Sequence, residues 1–244
     1  MNIDFKGKRI LVTGAGRGIG KSMALRLSKY KGQVIALCKT KENLETLYKE
    51  DPSIQSLCVD LLDWNATKKA IQSVLPIDLL VNNAGVALLG PFLKATEEDF
   101  DMSFAVNVKA ILNVSQVVAK DMIQRKAGGS IVNISSQASH AALKDHAVYC
   151  SSKGAVDMLS KTMALELGPH NIRVNTVNPT VIMTEMGKLG WSKPEKAQEM
   201  LKKIPLGRFG EVDEVVDAVV FLLSDHSSMI NGVALPIDGG FLAT

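Results

Sequence analysis

The chain is poor in cysteine, in histidine clusters and in net charge, and each shortage excludes a class of protein. Its three cysteines, Cys38, Cys58 and Cys150, are odd in number and widely spaced, so neither a disulfide framework nor a cysteine zinc site is expected. Each stands in or beside an apolar run, where we expect a buried free thiol. The four histidines form no His-x-x-x-His pair, so no metal site is predicted.

Charge and hydropathy exclude two further classes. Lysine and arginine total 28 against 25 aspartates and glutamates, and the resulting net charge of +3 is too small for a dedicated nucleic-acid surface. The longest apolar run, residues 218–223, is far shorter than the ~20 residues of a membrane-spanning helix. Residues 1–7 include an acid and lack the apolar stretch of a signal peptide, which predicts a cytoplasmic protein.

Short apolar runs alternate with longer stretches of helical spacing over all 244 residues. The predicted strands are residues 9–13, 33–38, 54–59, 77–81, 130–134, 172–177 and 232–237. The predicted helices are residues 18–30, 41–49, 65–74, 97–107, 109–125, 149–167, 193–202 and 211–223. Apolar strands separated by helices indicate parallel strands buried on both faces. We therefore predict a single α/β domain over residues 1–244: a doubly wound, Rossmann-type parallel sheet of about seven strands with helices on both faces.

A glycine-rich turn follows the first predicted strand, where residues 13–20 read Thr-Gly-Ala-Gly-Arg-Gly-Ile-Gly. The missing side chains let a pyrophosphate reach backbone N–H groups at a helix N-terminus, where the helix dipole is positive. Glycine-rich turns also occur for steric reasons alone, but the position between a strand and a helix favours a dinucleotide site.

The end of the second predicted strand distinguishes the two nicotinamide cofactors. NAD sites usually place an acid there to bind the ribose hydroxyls, whereas residues 37–40 read Leu-Cys-Lys-Thr. Lys39 and Arg17 are expected to meet a 2′-phosphate, and Thr40 adds a hydroxyl. The pattern predicts NADPH; the alternative is that both bases are ordinary solvated charges.

Candidate chemical groups meet at the carboxyl edge of the predicted sheet, where ligands bind in open α/β folds. Tyr149 and Lys153, four residues apart on a long predicted helix, share one face, and a nearby ammonium lowers the pKa of a phenol toward the range of general acid–base catalysis. Tyr-x-x-x-Lys is common on helices, so this interpretation depends on its neighbours. Ser136 follows the fifth predicted strand, residues 82–85 (Asn-Asn-Ala-Gly) follow the fourth, and Asn107 lies on a helix that can reach them.

Taken together, these motifs resemble the short-chain dehydrogenase/reductase family over nearly the whole chain. The resemblance implies that Tyr149 donates a proton to a substrate carbonyl oxygen and that Ser136 hydrogen-bonds this oxygen. It implies that Lys153 lowers the pKa of Tyr149 and holds the nicotinamide ribose, while Asn107 helps to position a water that relays protons. The nicotinamide supplies the hydride.

Cofactor contacts follow from the motifs and from the same resemblance. They are assigned to Gly14, Gly16, Arg17, Gly18, Ile19, Gly20, Lys39, Thr40, Asp60, Leu61, Asn83, Ala84, Gly85, Tyr149, Lys153, Pro179, Thr180, Ile182 and Thr184. Residues 178–180 read Asn-Pro-Thr where the family more often has Asn-Pro-Gly, which reduces the backbone freedom there.

Residues 146–153, 163–170 and 178–187 resemble those family members that reduce small sugars and dicarbonyl compounds, and this resemblance implies a small ketose or dicarbonyl substrate. Besides Ser136, its candidate contacts are Gln137, Leu143 and His146 on the loop before Tyr149, and Trp191 before a late helix. His and Gln can bond sugar hydroxyls, while Leu and Trp can cover a short carbon chain; the alternative is that these are ordinary loop residues.

Two other functions remain open. One is a 3-oxoacyl-carrier-protein reductase, for which Arg125 and Lys126 are weak candidates for a surface that binds the acidic carrier. The other is a family member that binds NADPH without catalysis.

The chain is also expected to form a homotetramer with two different two-fold interfaces. The predicted helices 109–125 and 149–167 are apolar over a wider arc than a sheet-covering helix needs. Ala110, Ser115 and Ala119 would allow close helix approach, and residues 241–244 end the chain in an apolar tail. In similar reductases these two helices pair with their copies across a two-fold axis. The alternative is a monomer whose excess apolar arc packs under loops.

Overall fold

The computed structural model of the chain describes residues 3–191 and 193–243. Seven strands form one sheet in the order β3-β2-β1-β4-β5-β6-β7, with every neighbouring pair parallel. They are β1 (Arg9–Thr13), β2 (Gln33–Cys38), β3 (Gln55–Cys58), β4 (Leu79–Asn82), β5 (Gly129–Ile134), β6 (Ile172–Pro179) and β7 (Ala234–Ile237). The order reverses between β1 and β4, and this switch point opens a crevice at the carboxyl edge, as predicted.

Nine α-helices are described. They are α1 (Gly18–Lys29), α2 (Lys41–Glu50), α3 (Trp64–Gln72), α4 (Glu97–Phe104), α5 (Ala110–Arg125), α6 (Ala147–Leu167), α7 (Glu185–Gly190), α8 (Pro194–Leu201) and α9 (Val212–Leu223). The sequence predicted all of them except the short α7, and most boundaries differ by one or two residues.

The core lies on both faces of the sheet. Ile10 and Val12 of β1 pack on one side with apolar residues of α1, α2 and α9. Leu11, between them, packs on the other side with α3, α5 and α6. Successive strand residues face opposite sides of the sheet, so a strand that helices cover on both faces is mostly apolar. This is why apolar runs in the sequence predict the central strands.

The two helices predicted over residues 97–107 and 109–125 are one continuous helical stretch. A π-helical turn, Ala105–Lys109, joins α4 to α5. By length and composition the stretch Glu97–Arg125 could cross a membrane, but 56% of its apolar window is buried inside the fold, as in a core helix.

Two expectations about burial are wrong. Cys58 is exposed on the edge strand β3, and Cys38 and Cys150 are half-buried, so none of the three free thiols lies in the core. The small residues of α5 do not face outward for a partner, because helix packing within the chain already buries them; they are Ala110, Ser115 and Ala119. Three residues used in the predictions lie outside the described residues: Met1 and Asn2 of the segment compared with a signal peptide, and Thr244 of the apolar tail.

Candidate active site

Two of the four predicted catalytic residues, Asn107 and Lys153, converge on Gly85 after β4, and a third, Tyr149, lies beside Lys153. A Cβ atom on Gly85 would lie 3.3 Å from Asn107 Oδ1 and 3.7 Å from Lys153 Nζ. Lys153 Nζ donates to Ile134 O at the end of β5 (2.8 Å) and lies 5.7 Å from the centre of the Tyr149 ring. The side chains of Lys153 and Tyr149 thus share a face of α6 that points at the carboxyl edge of the sheet.

The Tyr149 hydroxyl is hydrogen-bonded to the side chain of Ser136, which follows β5. Burial raises the pKa of Tyr149, and this hydrogen bond only partly opposes the rise. The expected lowering by Lys153 is therefore not found in the protein alone, because the cost of burying a phenolate dominates. A raised pKa keeps the phenol protonated at neutral pH, which is the form needed to donate a proton.

Lys153 is 5% exposed, and its pKa falls from 10.5 to about 8. Burial disfavours the ammonium and causes the fall, while the charge of Asp157 acts in the opposite direction. The ammonium is therefore the main form at neutral pH but is lost in mildly alkaline solution.

Asn107 is fully buried in the π-helical turn, and its amide is occupied by the protein. Its Oδ1 accepts from Val86 N (2.8 Å), while Nδ2 donates to Val86 O (3.0 Å) and to Ser152 Oγ (2.9 Å). The side chain ties the loop after β4 to α6. Both hydrogens of Nδ2 are donated to protein groups, so a water positioned by Asn107 would have to contact another of its atoms.

The glycine-rich turn forms a backbone cradle beside this cluster. Gly14 has a φ of +63°, and a Cβ there would lie 2.8 Å from Ala84 Cα, so only glycine fits. Gly18, with a φ of +54°, faces Thr184, whose Cγ2 would lie 3.6 Å from an added Cβ. The N-cap of α1, Arg17, makes no side-chain capping bond, which leaves the helix N-terminus open to an anion.

Other predicted cofactor residues border the same cradle. Asn83 Nδ2 donates to Thr13 O and Gly14 O, both at 3.1 Å, which locks the loop after β4 against the turn. Pro179 O lies 3.5 Å from Ser136 Oγ. The Thr180 hydroxyl is buried with no hydrogen-bond partner in the described part of the chain. The remaining residues assigned to the cofactor follow the carboxyl ends of β1, β2, β3 and β6 along the chain; they are Gly16, Ile19, Gly20, Thr40, Leu61 and Ile182.

The end of β2 fits a phosphorylated ribose. Lys39 is exposed there, and its Nζ lies 4.0 Å from Asp60 Oδ2 at the turn after β3. Arg17 is also exposed. The pair of Lys39 and Asp60 is loose and solvated, so Lys39 can turn to a 2′-phosphate at little cost. No acid occupies the end of β2, so the residues present fit NADPH better than NADH.

Two of the substrate candidates lie beside Tyr149 and Ser136. Gln137 is 2% exposed, and its Oε1 has no hydrogen-bond partner in the described structure. The His146 ring lies edge-on to Tyr149, 6.3 Å between centres, and Nδ1 lies 2.5 Å from Lys144 O. Because a carbonyl oxygen only accepts, Nδ1 carries a hydrogen, and in the neutral ring Nε2 is then an acceptor.

The contacts of the other two candidates are with neighbouring loop and helix residues. Leu143 is half-buried, and its backbone oxygen accepts from His146 N (3.2 Å). Trp191 packs on Phe209, with ring centres 5.4 Å apart.

The sequence analysis does not predict one buried polar residue of the site, Asp157, which follows Lys153 by four residues on α6. Asp157 is buried on α6 and contacts Asn178 and His140. The signal was present: Asp157 continues the four-residue spacing of Tyr149 and Lys153.

Comparison with known proteins agrees with this geometry. A model of short-chain dehydrogenases and reductases, described as enoyl-(acyl carrier protein) reductase, matches residues 14–242. An L-xylulose reductase of Mesocricetus auratus is 59% identical over 244 residues and 100% of both chains. A D-erythrulose reductase of Gallus gallus is 56% identical over 100% of this chain and 99% of its own. A crystal structure of a gluconate 5-dehydrogenase from Burkholderia cenocepacia J2315, in complex with NADP and tartrate, has a TM-score of 0.94 and 32% identity, covering 100% of this chain and 98% of that one.

The fold and the cluster at its carboxyl edge are those of an oxidoreductase. The chain belongs to the short-chain dehydrogenase/reductase family.

Proposed function

We propose that this protein is an NADPH-dependent carbonyl reductase that transfers a hydride to a small ketose or dicarbonyl compound, and that it reduces L-xylulose to xylitol. The observation that carries the proposal is the grouping of Ser136, Tyr149 and Lys153 beside an uncapped, glycine-lined helix N-terminus. The names of full-length relatives at 56–59% identity support the substrate class.

NADPH supplies the hydride when bound. Tyr149 holds the proton at neutral pH because burial raises its pKa, and its hydroxyl donates that proton to the carbonyl oxygen as negative charge develops. Ser136, which is hydrogen-bonded to Tyr149, also binds the substrate carbonyl oxygen and so orients it toward Tyr149. The ammonium of Lys153 stabilises the phenolate left behind, which a buried site requires.

The polar groups around the reacting centre suit a hydroxylated substrate. Gln137 Oε1 is buried and has no hydrogen-bond partner among the described residues, and such an acceptor costs about 1–3 kcal/mol unless a ligand satisfies it. A substrate hydroxyl donating to Gln137 would remove this cost. His146 Nε2 offers a second acceptor close to Tyr149.

A 3-oxoacyl-carrier-protein reductase remains the main alternative, and one observation counts against it. Arg125, a candidate for the carrier surface, is already occupied, with Nε 2.9 Å from Asp121 and Nη1 3.1 Å from Asp78. The test is NADPH oxidation with L-xylulose, diacetyl and an acetoacetyl thioester in parallel. We expect L-xylulose and diacetyl to be reduced at least tenfold more efficiently than the thioester. Preference for the thioester contradicts the proposal, and NADPH binding with no turnover indicates a non-catalytic member.

We also propose a homotetramer with two different two-fold interfaces. On α6, Met158 and Leu165 are 62% and 79% exposed and lie seven residues apart, hence on one face. Gly154 continues this stripe, and a Cβ there would meet nothing within 4 Å, which leaves room for a second chain. The partly exposed edge strand β7 and the 96% exposed Met229 support the second interface.

A cytoplasmic location is proposed with it. It is supported by three free thiols, which a reducing compartment preserves.

A further inference from the structure

Asp157 is a buried acid that the proposed reaction has not yet used. It lies on α6 eight residues after Tyr149 and four after Lys153, so the three side chains follow one face of the helix. It is 7% exposed. A buried carboxylate is costly unless hydrogen bonds or opposite charge compensate it, so its surroundings need an explanation.

The carboxylate holds together three elements at the carboxyl edge. Its Oδ2 accepts from Asn178 Nδ2 of β6 (2.9 Å) and lies 3.3 Å from His140 Nε2, in the turn after β5. The same Asn178 amide reaches Ser136 O (3.2 Å) and Ser139 Oγ (2.9 Å). Through Asn178, Asp157 therefore fixes the backbone that carries Ser136.

The second oxygen of the carboxylate is also buried. Asp157 Oδ1 is buried and has no hydrogen-bond partner within residues 3–191 and 193–243. An oxygen left unpaired in a buried carboxylate concentrates negative charge in a low-dielectric region. A nearby cation benefits from this charge without needing a direct contact.

Lys153 is that cation. Its Nζ donates a hydrogen bond to Ile134 O, a carbonyl oxygen without formal charge. The negative charge that favours the ammonium form of Lys153 comes from Asp157. Among the described residues, the titratable side chains in contact with the pair are Tyr149 on the same helix and His140 from the turn after β5. The other surrounding elements contribute amide and carbonyl groups, such as those of Asn107 and Asn178.

We propose that Asp157 is a positioning residue for the reduction: its carboxylate keeps Lys153 charged and, through Asn178, holds Ser136 in line with Tyr149. It does not touch the substrate. The inference rests on the proposed function for its kinetic consequences, but the state of Lys153 is measurable without a substrate.

The kinetic test is Asp157→Asn, which keeps the size and one hydrogen bond to Asn178 but removes the charge. Because burial of Lys153 is then unopposed, the alkaline fall in kcat for L-xylulose should move to lower pH, with a loss on the order of tenfold at pH 8. Asp157→Glu retains a charge and should restore much of the wild-type profile. Glu166→Gln is the matched control, because it makes the same chemical change on an exposed position of the opposite face of α6. We expect its pH profile to be unchanged.

A substrate-independent measurement separates the two proposals. Competitive acetylation of the cofactor-free protein with acetic anhydride, followed by peptide mass spectrometry over pH 6–10, follows the titration of Lys153. Asp157→Asn should shift this titration to lower pH even if L-xylulose proves the wrong substrate. If the amide variant does not fold, as judged by its thermal transition, Asp157→Ser carries the same expectation. An unshifted titration, or a kcat loss equal at every pH, overturns the inference and leaves Asp157 a structural residue.

Discussion

Removal of one hydroxyl, Tyr149→Phe, addresses the central step of the proposed reaction. Burial raises the pKa of this phenol, and its hydrogen bond with Ser136 directs it, so the hydroxyl is both protonated and oriented at neutral pH. Proton transfer from a positioned side chain contributes about 10²–10⁴ in rate. We therefore expect kcat for L-xylulose to fall by a factor of ~10² or more, which corresponds to about 2.7 kcal/mol or more of transition-state stabilisation.

The substitution leaves the remaining site intact. Phenylalanine keeps the ring that packs near His146 and Lys153, so the dissociation constant for NADPH, measured by fluorescence titration, should change by less than about threefold. Tyr48→Phe, an exposed tyrosine on α2, is the matched control and should retain wild-type turnover. Turnover in Tyr149→Phe within a factor of about three of the wild type would show that another group donates the proton.

Four further measurements test other parts of the structure. Lys39→Asp should shift preference from NADPH toward NADH, measured as the ratio of kcat/KM, because repulsion replaces attraction at the 2′-phosphate; equal use of both by the wild type contradicts the assignment. The wild-type kcat should fall as pH rises through about 8, since Lys153 then loses its proton; a flat profile over pH 7–9 contradicts it. Leu165→Asp, at an exposed position on α6, should lower the mass seen by light scattering from four copies to two, whereas a wild-type mass near 26.3 kDa rules out the tetramer. Thr96→Ala removes half of the capping box of α4 and should cost about 1 kcal/mol, or ~2–4 °C in the thermal midpoint.

The strands were predictable because helices cover both faces of the sheet. Unbroken apolar runs, residues 10–12 of β1 and 34–38 of β2, separate these strands clearly from their neighbours, and the predicted boundaries of both agree with the structure. The end of β6 was not predictable, since it extends to Pro179 by pairing with β7, which lies far away in sequence. The π-helical turn Ala105–Lys109 also has no periodic signal, because a single extra residue leaves the apolar spacing on either side unchanged.

Residue identity at the candidate site was easier to predict than its electrostatics. The spacing of Tyr149 and Lys153 places them on one face whatever the tertiary structure. Their pKa values depend on how deeply the sheet edge and the adjoining loops bury them, so the upward shift of Tyr149 could not be read from the sequence. Asp157 has the same helical spacing, but only the structure shows that it is buried rather than solvated.

Asn82 shows most clearly why an edge motif and a functional contact differ. The motif at residues 82–85 includes Asn82 beside Asn83, but the side chain of Asn82 is buried in the core, 2% exposed. Its Nδ2 donates to Asn133 Oδ1 of β5 (2.8 Å) and to Ser115 Oγ of α5 (3.0 Å). Asn133 in turn donates to Ser160 Oγ of α6 (2.8 Å). Buried amides paired in this way tolerate little displacement, because each lost bond leaves an unsatisfied group in the core. This series of hydrogen bonds thus holds β4, β5, α5 and α6 in register beneath the cluster, and the resulting rigidity keeps the candidate catalytic residues of separate elements in fixed positions.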